Sequence, residues 1–369
     1  MKILYIASIR LPTEKAHGIQ IMKTCEAISR QGIDIELFVP GFLNTDPVVN
    51  DPFDYYRVQR IFNIQRLVSL RLIRLGPIGF FLETFIFFLS MLFSKGFWTS
   101  DYIFSRDEML VYLSALLGKK TIWETHTGSY NFFAKGALEM AELIVSITQG
   151  LKDFYISKAG PNSRIIVSPD GVDVDEFEIS ITQDEARKAS GLPEDKKIAL
   201  YAGRLDGWKG FRTFLDSSLL FNDDVIAIVI GGDLAQVESL KKEYPKAMFL
   251  GYKPYTELPI YQKSADVLVI PNSANSDVSR LYTSPLKIFS SMASGVPIVA
   301  SDLPSIREVL NETNSVLVLP DNPETLWDGI RLVLEDKNKA DIMSRQALSD
   351  VARYSWTERS KTIISSLNR

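Results

Sequence analysis

The chain has 369 residues, of which 46% are hydrophobic and 23% charged, and a formal net charge of −4. That length exceeds what one hydrophobic core usually organises and suits two domains; the near-balanced charge excludes a chain-wide basic field for nucleic acid. The single cysteine, Cys25, excludes an intramolecular disulfide and a cysteine-built zinc site, as expected in a reducing cytoplasm.

At the N-terminus, MKILYIASIR lacks the long apolar core and small-residue cleavage site of a signal peptide and reads as a first buried strand. From there, short apolar runs alternate with longer helical patterns, which predicts βαβ units and parallel sheets. The expected strands of the first half are Lys2–Ser8, Asp34–Pro40, Tyr102–Arg106, Thr121–His126, Leu143–Thr148 and Arg164–Ser168. Those of the second half are Lys197–Gly203, Val225–Gly231, Ala247–Gly251, Asp266–Pro271, Pro297–Ser301 and Ser315–Leu319. Both sets are rich in Val, Ile and Leu with little polar alternation, the pattern of strands buried on both faces. The polar segment Asp173–Lys197 separates them, and a linker is expected near Glu178. Helical patterns follow from Pro323 and end in YSWTERSKTIISSLNR.

Gly76–Ser94, GPIGFFLETFIFFLSMLFS, breaks this rhythm. Glu83 is its only charge, and Arg57, Arg60, Arg66, Arg71 and Arg74 precede it. Its length approaches the roughly 20 residues of a membrane span. Glu83 within it, Pro77 and Gly79 near its start, and its place inside a βαβ series argue against a span. Two readings remain: a buried core helix, or a helix partly exposed at a membrane interface with arginines facing anionic lipid.

Four motifs carry chemistry. In YTSPLKIFSSMASGVPIVASDLPSIREVL, Ser284 is a natural N-cap and Pro285 suits the first helical position. A helix beginning at a parallel sheet's edge offers free N–H groups and a positive dipole end to phosphate, with Thr283 and Ser284 adding hydroxyls. In LYAGRLDGWKG, Arg204 and Lys209 follow a strand end and suit a diphosphate whose charge grows as a sugar bond breaks. Gly18, in the loop RLPTEKAHGIQ before a helix from about Ile19, permits close approach of a ligand to the backbone. His126, in WETHTGS, is one of two histidines, each following a strand of the first half. Taken singly, each motif also fits a structural role: solvated cations, a Ser-Pro helix start, a turn glycine, a structural histidine.

In their order along the chain, with VSPDGVDVDEF and FLGYKPYTELPIYQKSADVLVIPN between them, these motifs resemble glycosyltransferase family 4. The resemblance is dense from Ile166 to Leu310 and weak from Pro47 to Ser100. It implies the GT-B fold: α/β, two Rossmann-like domains with parallel sheets facing a central cleft, and a C-terminal helix crossing back to the first domain. The expected division is 1–178 as the acceptor-side domain, 179–355 as the nucleotide-sugar domain and 356–369 as the returning helix. It implies a retaining, metal-independent transferase using a nucleotide-sugar, with a UDP-sugar the first choice, and an acceptor sugar or lipid-linked glycan. No cofactor, metal or nucleic acid is expected; the location implied is cytoplasmic, with peripheral contact at an anionic membrane face.

The resemblance assigns Arg204 and Lys209 to the diphosphate and His126 to the transferred sugar. The remaining donor contacts are Gly18 near the phosphates, Gly251, Tyr252 and Lys253 at the nucleobase, and Thr283, Ser284 and Leu286 within the segment Thr283–Lys287, which matches the phosphate-binding loop and helix start. One departure stands out. The family's paired glutamates, one near the donor sugar and one on the ribose, fall here on Tyr282 and Ser290. Their loss removes charge-assisted hydrogen bonds of about 1.5–3 kcal/mol each, and Ser290→Glu is expected to tighten donor binding. Asp173-Val174-Asp175 belongs to the turn DGVDVDEF and is assigned no metal; Gly231-Gly232-Asp233 lacks the spacing of a dinucleotide fingerprint. A sugar-nucleotide epimerase or hydrolase on the same fold, and a donor-binding protein without turnover, stand as alternatives.

Overall fold

The computed structural model describes residues 1–45, 50–159 and 164–367, so residues 47–49 of the weakly recognisable stretch lie outside it. The chain forms two compact units, Met1–Pro169 together with the segment from Trp356 onward, and Asp170–Ser355.

The first unit holds seven strands: β1 Lys2–Ile6, β2 Asp34–Phe42, β3 Asn63–Ser69, β4 Tyr102–Ser105, β5 Lys120–Thr125, β6 Leu143–Ser146 and β7 Ile165–Val167. They form a parallel sheet in the order β3-β2-β1-β4-β5-β6-β7, with Ile3 opposite Ile35 on one side and Tyr102 on the other. The order reverses between β1 and β4. The second unit holds β8 Lys197–Ala202, β9 Val225–Ile230, β10 Met248–Gly251, β11 Val267–Ile270, β12 Ile298–Ser301 and β13 Val316–Val318. Their order is β10-β9-β8-β11-β12-β13, all parallel, reversing between β8 and β11. These α/β folds with two parallel sheets match the expected class.

Both faces of the second sheet are covered, which explains the unbroken apolar runs. Tyr201, Val229, Val269 and Val299 pack in one core with Phe214 and Ile330. Their strand neighbours Leu200, Ile228 and Leu268 pack in another with Tyr261, and Ile298 packs in a third with Phe289.

Three expectations need correction. The first sheet has β3 as an extra edge strand. Its sequence, NIQRLVS, is mostly polar outward and buries only Leu67 and Ser69, so it carries no apolar run. The linker expected near Glu178 is ordered structure of the second unit. Thr182 and Glu185 form a reciprocal capping box that starts the helix Gln183–Ser190, whose Arg187 pairs with Asp266 at 2.6 Å. The break between units falls at Pro169–Asp170 instead. The five arginines before Gly76 are not one free basic cluster: Arg60 is held by Asp51 and Asp54 at 3.1 and 3.0 Å, and Arg71 by Glu83 at 2.7 Å.

The helix Gly76–Leu92 itself combines parts of both earlier readings. Phe87, Phe88 and Met91 lie in the first unit's core with Leu4, Phe38 and Ile103, while its other face is open. Glu83 sits on the buried face, where the Arg71 guanidinium and the Leu72 N–H satisfy its carboxylate. The helix Trp356–Leu367 belongs to the first unit and buries Ile363, Ile364 and Leu367 there.

Candidate functional site

In an open parallel sheet, ligands bind beyond the strand C-termini where the strand order reverses. In the second unit that point lies between β8 and β11. The loop after β8 carries Arg204 and Lys209, and the loop after β11 presses against it. Gly210 has φ +70°, and a Cβ there would collide with the Pro271 carbonyl, so only glycine fits. The Trp208 carbonyl accepts from the Ser273 N–H at 3.1 Å and from the Ser279 hydroxyl at 3.2 Å. These bonds tie the β8 loop to the β11 loop and to a π-helical turn, Val278–Tyr282, which ends at the expected sugar-side residue Tyr282.

Arg204 is 64% exposed and ion-pairs with Asp206 at 3.2 Å. Tyr201 donates its hydroxyl to the Arg204 carbonyl at 2.7 Å, bracing the loop. Lys209 stacks its ammonium on the Trp208 ring at 3.7 Å. Burial pushes the Lys209 ammonium down to about 8, with Asp206 opposing and Arg204 adding to the shift.

The helix runs Leu286–Ala293, as the sequence implied, but Ser284 is not its cap. Pro285 is its N-cap, and no side chain caps its first N–H groups. Ser284 instead accepts from the Asp170 N–H at 3.1 Å. Thr283 and Ser284 are both largely buried. In the first turn, next to Leu286, stands Lys287, the last residue of the segment Thr283–Lys287 that the resemblance assigns to the phosphates. Its Nζ is buried without a hydrogen-bond partner, 5.0 Å from the centre of the Tyr201 ring. Burial and then the nearby Lys209 hold its ammonium well below the usual lysine range. Two mutually repelling ammonium groups thus stand beside an uncapped helix N-terminus, an arrangement suited to an anion.

Ser290 lies deeper, only 1% exposed. Its Oγ accepts from Gln262 at 3.2 Å and donates to the Lys287 carbonyl at 3.2 Å. Gln262 belongs to the helix Leu258–Ser264, which also carries Tyr261, and Lys253 stacks on the Tyr261 ring at 5.5 Å. The turn Gly251–Lys253 after β10 is thereby linked to Ser290 through this helix. Tyr252 is exposed.

The other two expected residues belong to the first unit. Gly18 lies within the first turn of the helix Ala16–Ser29, not in the loop before it. A Cβ on Gly18 would overlap the Tyr56 hydroxyl, which donates to the Thr13 carbonyl and accepts from the Thr13 N–H. This glycine has a packing requirement of its own. His126 follows β5 and bonds through Nε2 to Glu124 Oε1 at 2.5 Å. Glu124 is fully buried and also accepts from Gln20 at 2.5 Å and from Arg359 of the returning helix at 2.7 Å. Burial alone would raise the Glu124 carboxyl, but Arg359, His126 and Arg106 hold it well below the carboxylate range. Burial and then Arg106 push the His126 imidazolium down to about 4, against the pull of Glu124. His126 is therefore a neutral imidazole at ordinary pH. Glu124 was legible as the one carboxylate in the strand KTIWET; its partner Arg359, far along the chain, was not.

Among the described residues, no group of three or more His, Cys, Asp or Glu side chains is arranged to hold a metal ion.

Known proteins share this architecture. Residues 182–350 match the family model "Glycosyl transferases group 1". An uncharacterized glycosyltransferase of Methanocaldococcus jannaschii is 28% identical over 236 residues, covering 60% of this chain and 58% of that relative. A phosphatidyl-myo-inositol mannosyltransferase of Mycobacterium tuberculosis is 29% identical over 206 residues, covering 53% and 51%. The chain thus matches less than two thirds of the length of these curated relatives. Among solved structures, Anabaena HepE in complex with UDP-glucose superposes with a TM-score of 0.78 at 16% identity, covering 100% of this chain and 99% of that one. The sucrose-phosphate synthase of Thermosynechococcus elongatus gives 0.77 at 18% identity, covering 99% and 97%. At such identities the superpositions establish the fold. The chain is thus similar to glycosyl transferases group 1 over residues 182–350 and shares its two-unit GT-B fold with HepE and the sucrose-phosphate synthase.

Proposed function

We propose that this protein is a retaining, metal-independent glycosyltransferase that takes a sugar from a nucleotide-sugar, with UDP-sugar the first choice. The acceptor is a hydroxyl of a glycan or a lipid-linked precursor. The observation that carries the reading is Lys287: a buried ammonium without a partner, beside Lys209 and an uncapped helix start, in the loop system that also bears Arg204. A nucleoside diphosphate supplies the missing counter-charge, and the same cations stabilise the charge that grows on it as the glycosidic bond breaks. The group 1 domain over residues 182–350 supports a glycosyl-transfer reading, and the UDP-glucose bound to the similarly folded HepE supports the choice of nucleotide.

The proposed diphosphate residues are Arg204, Lys209 and Lys287, with Thr283, Ser284 and Leu286 at the helix start. Gly251, Tyr252 and Lys253 are proposed at the base, and Tyr282 toward the sugar. His126 is proposed to act as a neutral hydrogen-bonding group toward the sugar, its orientation fixed by Glu124. The loss of the paired glutamates at Tyr282 and Ser290 favours a second reading, a donor-binding protein without transfer.

A thermal-shift screen of UDP-, GDP-, ADP- and dTDP-sugars, followed by product analysis with and without acceptor, tests both. Stabilisation by one nucleotide-sugar with transfer to acceptor supports the first reading, and stabilisation without any product supports the second. No stabilisation by any of them overturns the donor site.

A further inference from the structure

The helix Gly76–Leu92 presents an apolar stripe to solvent on the face opposite its core contacts. Leu75, Ile78, Leu82, Ile86, Leu89 and Phe93 recur at spacings of three and four, so they line one side of the helix. Ile78 is 71% exposed and Phe93 is 92% exposed. Phe81, also exposed, stacks on Phe133 at 6.1 Å, and the neighbouring Phe132 is itself largely exposed, so the apolar surface extends onto a second helix, Phe132–Met140. A continuous exposed face of this kind marks an interaction surface.

Charge identifies what covers it. Glu83, the helix's only charged residue, is turned inward and satisfied by Arg71 and the Leu72 N–H. The stripe itself carries no charge, and the charged residues at its two ends are both cations: Arg74 before it and Lys95 after it, both exposed and without an ion pair among the described residues. A second copy packing this face against itself sets cation against cation, whether the two helices run parallel or antiparallel. An anionic bilayer surface accepts both features: the stripe enters the acyl boundary and the end cations meet headgroup phosphates. The 20-residue stretch Ile73–Leu92 is long and apolar enough to cross a bilayer. It does not cross here, because Phe87, Phe88 and Met91 are core residues of the first unit.

We propose that this face docks the protein, lying in the plane of the membrane, on a bilayer containing anionic lipid. The proposal is independent of the donor-site reading, and nucleotide-sugar binding in lipid-free buffer tests that reading separately. The full chain is cosedimented with zwitterionic vesicles with and without a minority of anionic lipid, at low and high salt. Wild-type protein is expected to sediment with anionic vesicles and to be released by salt. The triple variant Ile78→Ser, Leu82→Ser, Leu89→Ser changes only exposed or partly exposed positions. It is expected to bind at least ~10-fold more weakly, with its thermal unfolding and nucleotide-sugar binding unchanged. Should that variant fold poorly, Arg74→Glu with Lys95→Glu, at fully surface positions, is expected to abolish the preference for anionic lipid. Wild-type protein that stays in the supernatant with anionic vesicles at low salt overturns the proposal. So does a folded triple variant that binds as well as wild type, or a lipid-free wild-type dimer that the triple variant dissociates, which makes the face a self-interface.

Discussion

Replacing Lys287 by methionine is expected to move stability and function in opposite directions. The Lys287 ammonium is buried beside Lys209 with no hydrogen-bond partner among the described residues, and the Tyr201 ring faces it at 5.0 Å. Leaving a buried polar group unpaired costs about 1–3 kcal/mol, more for a charged one. Methionine keeps most of the stem and removes the charge, so the ligand-free protein should gain at least ~1 kcal/mol. For a domain of this size that raises the unfolding temperature by about 2–4 °C. With the donor bound, the same ammonium makes a charge-assisted hydrogen bond of about 1.5–3 kcal/mol, so the variant should bind about 10- to 100-fold more weakly. Differential scanning fluorimetry of the free protein and titration calorimetry with UDP and UDP-sugars read the two halves. A variant that melts lower than wild type while binding nucleotide equally well would refute the reasoning, because Lys287 would then be a structural lysine.

Arg204→Ala or Lys209→Ala should leave the fold intact and cut turnover by about 100-fold or more, the scale of losing a preorganised charge stabiliser; wild-type rates in both would remove them from the site. Activity should survive excess EDTA, since the proposed counter-charge is supplied by side chains and a helix start; loss restored by magnesium or manganese would contradict this. Ser290→Glu, expected from sequence alone to tighten donor binding, must instead displace the buried Gln262 contact. Its expected outcome is a lower unfolding temperature with no gain in nucleotide affinity, read by fluorimetry and calorimetry. His126 should make the protein acid-sensitive: burial and Arg106 hold its folded pKa at about 4, below the ordinary 6.5, so the unfolded chain takes up the proton first. The stability this provides is complete above about pH 6.5 and is lost as pH falls toward 4; denaturant melts of His126→Gln should show a shallower loss across that window.

The inner strands of the second unit were legible because they are buried on both faces, so burial wrote continuous apolar runs such as VIAIVI and VLVI into the sequence. β3 was not, because an edge strand with one face toward solvent writes NIQRLVS. The helix Gly76–Leu92 shows a further limit. Its composition is apolar all round, so periodicity cannot separate the face packed on Phe38 and Leu67 from the one left open; only the neighbouring sheet makes that division. The capping box at Thr182 was readable as T-x-x-E, yet the polar composition around it suggested a linker. In that helix the polar residues are its solvated side, and Ala186 and Arg187 are the buried ones.

Within the candidate site the sequence displayed Arg204 and Lys209 because they stand in a short loop, whereas Lys287 was legible only as the end of the segment Thr283–Lys287, with nothing to mark its burial. What separates it from other buried cations is partnership, which is a property of the fold. Arg359 meets Glu124 at 2.7 Å, and Arg187 meets Asp266 at 2.6 Å. Burying a cation is tolerable in such company and expensive without it. Lys287 has no such carboxylate, and its nearest named charge is another lysine. The first two cations connect elements distant in sequence, Arg359 joining the returning helix to β5 and Arg187 joining the helix Gln183–Ser190 to the start of β11. Lys287 makes no such bond among the described residues; its Nζ meets the Tyr201 ring. In the proposed reading its partner is the donor diphosphate, which reaches Lys287 at the C-terminal edge of β8, beside Lys209 and Arg204.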